Sequence, residues 1–176
     1  LVKFNLVPDW SARGMSFETA FALIATFGGA GGVLGGVFIS VWGGLKKRRV
    51  YGILVPMIAS GSAMIVLGIS PLVYLTAIMA LIAHSMTPMM NAHSQSIWQT
   101  QVPRELQGRV FAVRRLIAQC TMPLSMALTG VFGGLFNPGA VIAVMGGIAI
   151  VFCIAQLFNP YLLRVEDKAW LDQLAA

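Results

Sequence analysis

Apolar residues run along this chain in five long, nearly unbroken stretches, at about 17–44, 50–69, 72–92, 110–136 and 140–163, with short polar breaks between them. A helix needs roughly 20 mostly apolar residues to cross the hydrocarbon core of a bilayer, and each stretch meets that length. Strands of a membrane barrel would alternate in polarity over about ten residues, whereas these runs are continuous. The pattern therefore predicts an all-α, polytopic membrane bundle of five transmembrane helices, forming one unit over residues 1–176. Local signals agree with the spacing. Ser16 is an N-cap type placed just before the first stretch, and Glu18 falls in its first turn, where the helix dipole favours negative charge. Ser70-Pro71 predicts a very tight turn with the proline in the first turn of the third helix, and Asn137-Pro138-Gly139 predicts the turn between the fourth and fifth.

Composition carries the same message. Of 176 residues, 57% are hydrophobic and 10% charged, with mean hydropathy +0.81, too little charge to cover the surface of a soluble domain of this size. The net charge of +6 does not point to nucleic acid, because the basic residues sit in short clusters between apolar stretches. Lys46, Lys47, Arg48 and Arg49 follow the first stretch, Arg104, Arg109, Arg114 and Arg115 follow the third, and Arg164 and Lys168 follow the fifth. The positive-inside rule places all three clusters in the cytoplasm, the N-terminus outside and the C-terminus inside. Trp10, Trp42, Trp98 and Trp170 fall at or just beyond span ends, as an interfacial belt requires. Cys120 and Cys153 lie within apolar stretches and read as small buried hydrophobes. The chain begins without Met, on a mixed segment carrying Lys3, Pro8, Asp9 and Arg13. The expectation is a fragment, with a sixth helix preceding Leu1.

Several residues are candidates for function. Gly28, Gly32 and Gly36 recur every four residues, with Gly31 and Gly35 beside them, so one side of the first helix lacks side chains and can approach a neighbour closely. Static packing and a sliding contact both use such a face. Lys46, Lys47 and Arg48 read first as a topological anchor, with a gate or a lipid-headgroup contact as the further roles such a cluster can serve. Polar residues inside a membrane are expensive. His84, Thr87 and Asn91, at i, i+3 and i+7, share one face of the third helix, and Gln119 in the fourth is a further cavity candidate. His84 also fits a hydrogen-bonded structural role, and His93 reads as interfacial. Met79, Met86, Met89, Met90, Met122 and Met126 surround these positions and suit either adaptable packing or a pocket for varied apolar ligands. Missing from the sequence are an acidic residue deep in any span, a nucleophile with a matched base, a metal-spaced His and Cys cluster and a phosphate-binding glycine loop. Neither an enzyme, a metal site nor a cofactor is expected.

The stretch from Ile97 to Ala112 is a polar connector in which Pro103 can open a helical turn, Glu105 and Arg109 are spaced i,i+4, and Gly108 breaks the interface before the next span. Its residues Gln101, Val102, Pro103, Gln107, Gly108, Arg109 and Val110 resemble the loop between the fourth and fifth helices of the C-terminal half in the drug, macrolide and enterobactin exporter branch of the major facilitator superfamily. Gly36, Gly43 and Gly44 followed by Lys46 and Lys47 resemble the family's glycine-and-basic loop, with Ser40 where that motif usually carries an acidic residue. The resemblance covers essentially the whole chain and aligns its five spans with the last five of twelve. It implies secondary-active efflux of a small molecule by alternating access, as an antiporter of the bacterial inner membrane, with lipid, a small-molecule substrate and the missing N-terminal half as partners. Lys46, Lys47, Arg48, Pro103, Glu105, Gly108 and Arg109 are then loop or gating candidates. The alternative reading is a non-transporting membrane scaffold, which the glycine face would also serve. A membrane-embedded enzyme would need clustered intramembrane acidic or histidine residues beyond His84.

Overall fold

The computed structural model describes residues 1–3, 5–167 and 170; Lys168 of the basic tail lies outside the described residues. Among these residues the chain is wholly helical, with α1 Val7–Ala12, α2 Phe17–Trp42, α3 Tyr51–Ile69, α4 Val73–Gln101, α5 Arg104–Leu135, α6 Pro138–Leu157 and α7 Pro160–Leu163. Helices α2 to α6 are each long and apolar enough to cross a membrane. Ser16 caps α2, its hydroxyl accepting the Thr19 N–H at 3.2 Å. Asn137 caps α6 by accepting from Gly139 and Ala140, so Pro138 and Gly139 are the first residues of that helix instead of part of a turn. Pro71 lies in the extended link before α4 and not in its first turn.

Two sequence boundaries move outward for one physical reason. Helix α4 continues nine residues past position 92, and α5 starts at Arg104, directly after Pro103, with Gly108 inside the helix and breaking nothing. Hydropathy marks where lipid ends, not where backbone hydrogen bonding ends. At 1.5 Å per residue the 29 residues of α4 reach about 44 Å. The hydrocarbon core spans only about 30 Å, so polar turns of α4 and α5 project beyond it. Among the five spanning helices α5 alone has no buried residue, and Cys120 is exposed there, unlike buried Cys153.

Packing is dominated by α2 against α4, α4 against α3 and α3 against α6. Side-chain hydrophobicity does not drive helices together in lipid, so close approach at small residues has to do it. On α2 the close face is Gly28, Gly31 and Gly35. A Cβ on Gly31 or Gly35 would run into the backbone carbonyls of Leu81 or Ser85. Gly32 and Gly36 instead face open space, correcting the every-fourth-residue stripe; the 3.6-residue turn makes i, i+3, i+7 the straighter line down one face. A second seam joins α3 to antiparallel α6, where a Cβ on Gly146 would lie 2.7 Å from the Gly61 carbonyl oxygen, and Gly68 and Gly139 oppose each other. Ser40 turns its hydroxyl back to the Gly36 carbonyl at 2.7 Å.

At the end of the bundle that holds α1, Val2, Leu6, Ala20 and Val73 form a buried cluster, with Trp10, Leu23 and Ile24 packed on it. Leu72 gives α4 no side-chain cap, and Asp9 supplies one across the fold. Its Oδ2 accepts the Val73 N–H at 2.9 Å while Oδ1 pairs with Arg13 at 3.0 Å. The Val73 N–H first, and Arg13 after it, hold the Asp9 carboxyl below the usual carboxylate range, with desolvation acting the other way.

Two outcomes are expected from thermal unfolding in detergent micelles. Gly31→Ala and Gly35→Ala each lower stability by about 1–3 kcal/mol through overpacking, while Gly32→Ala does not. Asp9→Asn lowers the melting temperature at neutral pH. Because the folded-state pKa is depressed, this difference is complete above the unfolded value of about 3.9 and closes as pH falls through the depressed one.

Candidate functional site

Two histidines on α4 organise the polar features of the bundle, and they have opposite surroundings. His84 faces α2 at Gly28, where a Cβ would rest 3.5 Å from the imidazole, an ordinary contact. Its Nδ1 lies 2.8 Å from the Ala80 carbonyl one turn earlier. The ring borders a cavity of about 660 Å³ between α2 and α4, lined also by Phe17, Phe21, Ile24, Gly28, Gly32, Leu67 and Ala80 and roofed by residues 1–3. The helical walls are apolar apart from the His84 imidazole, and Lys3 adds a cation at the roof.

Thr87 and Asn91 share the face of His84 and are exposed, as His84 is. Neither lines this cavity, and Gln119 does not reach it either. Gln119 sits on α5, which meets α6 along a short stretch near their turn and touches α4 through side chains at its first turns. There Arg114 donates to Gln95 Oε1 at 2.9 Å and Ser94 Oγ at 2.8 Å, with its guanidinium over the Trp98 ring. The cavity that His84 borders therefore includes neither of the other two candidates, Asn91 and Gln119. In α5, Thr121, Ser125 and Thr129 turn their hydroxyls back to carbonyls four residues earlier. They are satisfied within their own helix and present no free donor.

His93 is buried, 3% exposed, at the end of the bundle that holds the basic loop. Its Nε2 accepts the backbone N–H of Leu45 at 2.9 Å, and its Nδ1 lies 2.7 Å from the Met89 carbonyl. With an N–H donor on one nitrogen and a carbonyl on the other, Nε2 is the acceptor and Nδ1 the donor. The loop from Gly43 to Val50 is thereby latched onto α4. Gly43 and Gly44 adopt left-handed backbone, φ 76° and 72°, turning the chain sharply off α2. Gly44 and Gly52 leave the space the ring occupies, since a Cβ at Gly52 would collide with the imidazole. The Trp42 ring closes the other side, with centroids 6.1 Å apart.

Beyond this latch lies the basic loop. Arg49 pairs with Glu166 at 3.4 Å, and its backbone N–H donates to the same carboxylate at 2.9 Å. Gln101 donates to the Val165 carbonyl at 2.7 Å, so the loop, the end of α4 and the segment after α7 meet at one end of the bundle. Beneath them Val50, Leu54 and Cys153 form a second buried cluster. In the connector, Pro103 is the N-cap residue of α5, with Glu105 in its first turn. Gln107 donates to the carbonyls of Gln99 and Val102, both at 3.1 Å, which tightens the bend between α4 and α5. Glu105 and Arg109 do not form an ion pair among the described residues; both are exposed to solvent. Among the described residues no group of three or more His, Cys, Asp or Glu is placed to hold a metal ion.

No family model matches the chain, and neither a curated protein nor a solved structure matches it. The class is defined by the fold: an integral, polytopic α-helical membrane protein with five candidate spans.

Periodicity could not find the His93 latch, because its sequence neighbours Asn91, Ser94 and Gln95 are polar. The available signal was the spacing of Gly43, Gly44 and Gly52 around a basic loop, which leaves room for a ring. Replacing His93 with Ala leaves the Leu45 N–H without its acceptor and is expected to cost about 1–3 kcal/mol. Limited trypsin digestion checks it: cleavage at Lys46 to Arg49 accelerates in His93→Ala and stays at the wild-type rate in His84→Ala.

Proposed function

We propose that this chain is one wall of a secondary-active transporter of the major facilitator type, exporting a small, largely apolar molecule by alternating access. The observation that carries the reading is the cavity between α2 and α4, whose helical walls are apolar but for the His84 imidazole, with Lys3 of the N-terminal segment at its roof. Transport sites in such folds lie near the bilayer midplane between two repeated halves, and a concave, mostly apolar wall with few polar groups suits that position. Three further features support it. The connector sequence from Gln101 to Val110 resembles that of the exporter branch. The basic clusters share one end of the bundle, which under the positive-inside rule is cytoplasmic in a bacterial inner membrane. The open faces of α2 and α5, with Val33, Leu34, Val37, Leu124 and Val131 exposed, leave apolar surface for an N-terminal half. Proton coupling would draw its carboxylate from that half.

The test is dye extrusion from bacterial cells expressing the complete reading frame. Cells preloaded with a panel of lipophilic fluorescent dyes are expected to clear at least one faster than empty-vector cells. His84→Ala is expected to slow that clearance about tenfold, equivalent to about 1.4 kcal/mol, at an unchanged membrane level of the protein. Dye retention equal to the empty vector across the panel, with the protein correctly inserted, would count against transport and favour a scaffold built on the same open faces.

A further inference from the structure

We infer that the basic end of the bundle holds a binding site for a phosphate-bearing anion, in the cleft between the α2–α3 loop and the segment following α7. The cleft encloses about 500 Å³. Lys46, Lys47, Arg48, Arg49 and Arg164 line it, against the two carboxylates of Glu166 and Asp167. Both carboxylates are already engaged. Glu166 binds the side chain and the backbone N–H of Arg49, and Asp167 accepts the Trp170 N–H at 3.3 Å. Among the described residues the ion pairs are Arg13 with Asp9 and Arg49 with Glu166, so Lys46, Lys47, Arg48 and Arg164 have none.

Four cations converging on one cleft repel one another, and flexible side chains on a free loop would spread apart. This loop is not free. Its first part is fixed where Leu45 donates to His93, and its last part where Arg49 donates to Glu166. Between them Arg48 is held at φ 53°, in the left-handed region that residues other than glycine seldom adopt. The ordering that a ligand would otherwise have to impose is already done, which leaves more of the attraction for binding. Guanidinium groups match phosphate oxygens with paired N–H donors, and lysines add point charge. The floor includes Leu163, and the cleft sits at the end of the spanning helices, where lipid headgroups lie. The phosphodiester of an anionic lipid and free phosphate present the same chemistry there. This inference depends on the membrane-spanning fold and not on transport.

The complete protein in maltoside micelles, which contain no phosphate, is titrated separately with phosphatidylglycerol and with inorganic phosphate, reading the rise in melting temperature. Stabilisation by phosphatidylglycerol alone identifies a headgroup site; stabilisation by phosphate as well identifies a site for the free anion. In either case Lys47→Gln/Arg48→Gln weakens apparent affinity about tenfold or more. Arg104→Gln/Arg115→Gln, which removes the same charge nearby, leaves it unchanged. Equal weakening by both pairs would reduce the effect to general surface charge and overturn the site, as would stabilisation by neither ligand. A measurement on the unaltered chain stands beside these variants. The bound ligand is expected to protect Lys46 and Lys47 from an amine-acylating reagent, and unprotected acylation at saturating ligand overturns the proposal.

Discussion

Backbone contact at glycine is what holds this bundle together. In water a helix pair gains stability by hiding apolar side chains; in lipid that gain vanishes, and what remains is dispersion between surfaces close enough to touch. Gly31 and Gly35 let α2 lie on the carbonyls of α4, and Gly61 and Gly68 let α3 lie on Gly146 and Gly139 of α6. Each seam lacks side chains on at least one partner, so backbones approach to distances a single methyl group would prohibit. With α4 also packed on α3, the four helices form a continuous layer in which α4 is shared by two neighbours.

That layer is secured at both ends by polar contacts and left open between them. At one end Asp9 caps α4 and Trp10 donates to the Val2 carbonyl at 3.1 Å, fixing the N-terminal segment over α2 and α4. At the other, His93 and Glu166 fix the basic loop. The cavity beside His84 lies under the first of these closures. On one face of α4 Val73 packs against the N-terminal segment and Ala77 is buried, and the same face becomes exposed at His84, Thr87 and Asn91.

The number of spans, their class and the cap at Ser16 were legible in the sequence, because hydropathy over twenty residues and N-cap chemistry are local properties. Helix ends beyond the lipid were not, since the polar turns of α4 after position 92 and of α5 before position 110 read as loop by hydropathy while their backbone stays helical. The glycine face was visible as a glycine-rich helix, but which glycines touch depends on the direction from which α4 approaches, and no single-helix pattern contains that. His84 was legible as a costly polar residue in a span. Which of the candidates share its cavity was not: Asn91 lies about two turns further along α4, beyond the cavity, and Gln119 is on α5, which stands apart from α4 through most of its length. His93 and Asp9 act over 48 and 64 positions of chain, beyond the reach of any motif.

The seam between α2 and α4 joins helices that run in the same direction, so α3 must lie between them in the chain. During synthesis, Gly35 enters the bilayer about fifty residues ahead of its partner Ser85. At roughly 5–20 residues per second that delay is about 3–10 s. Through that interval the glycine face of α2 lacks its α4 partner, and α3 gains its α6 partner later still. The order of emergence thus makes α2 a helix that waits, and its lasting fit depends on a neighbour not yet made when it first crosses the membrane.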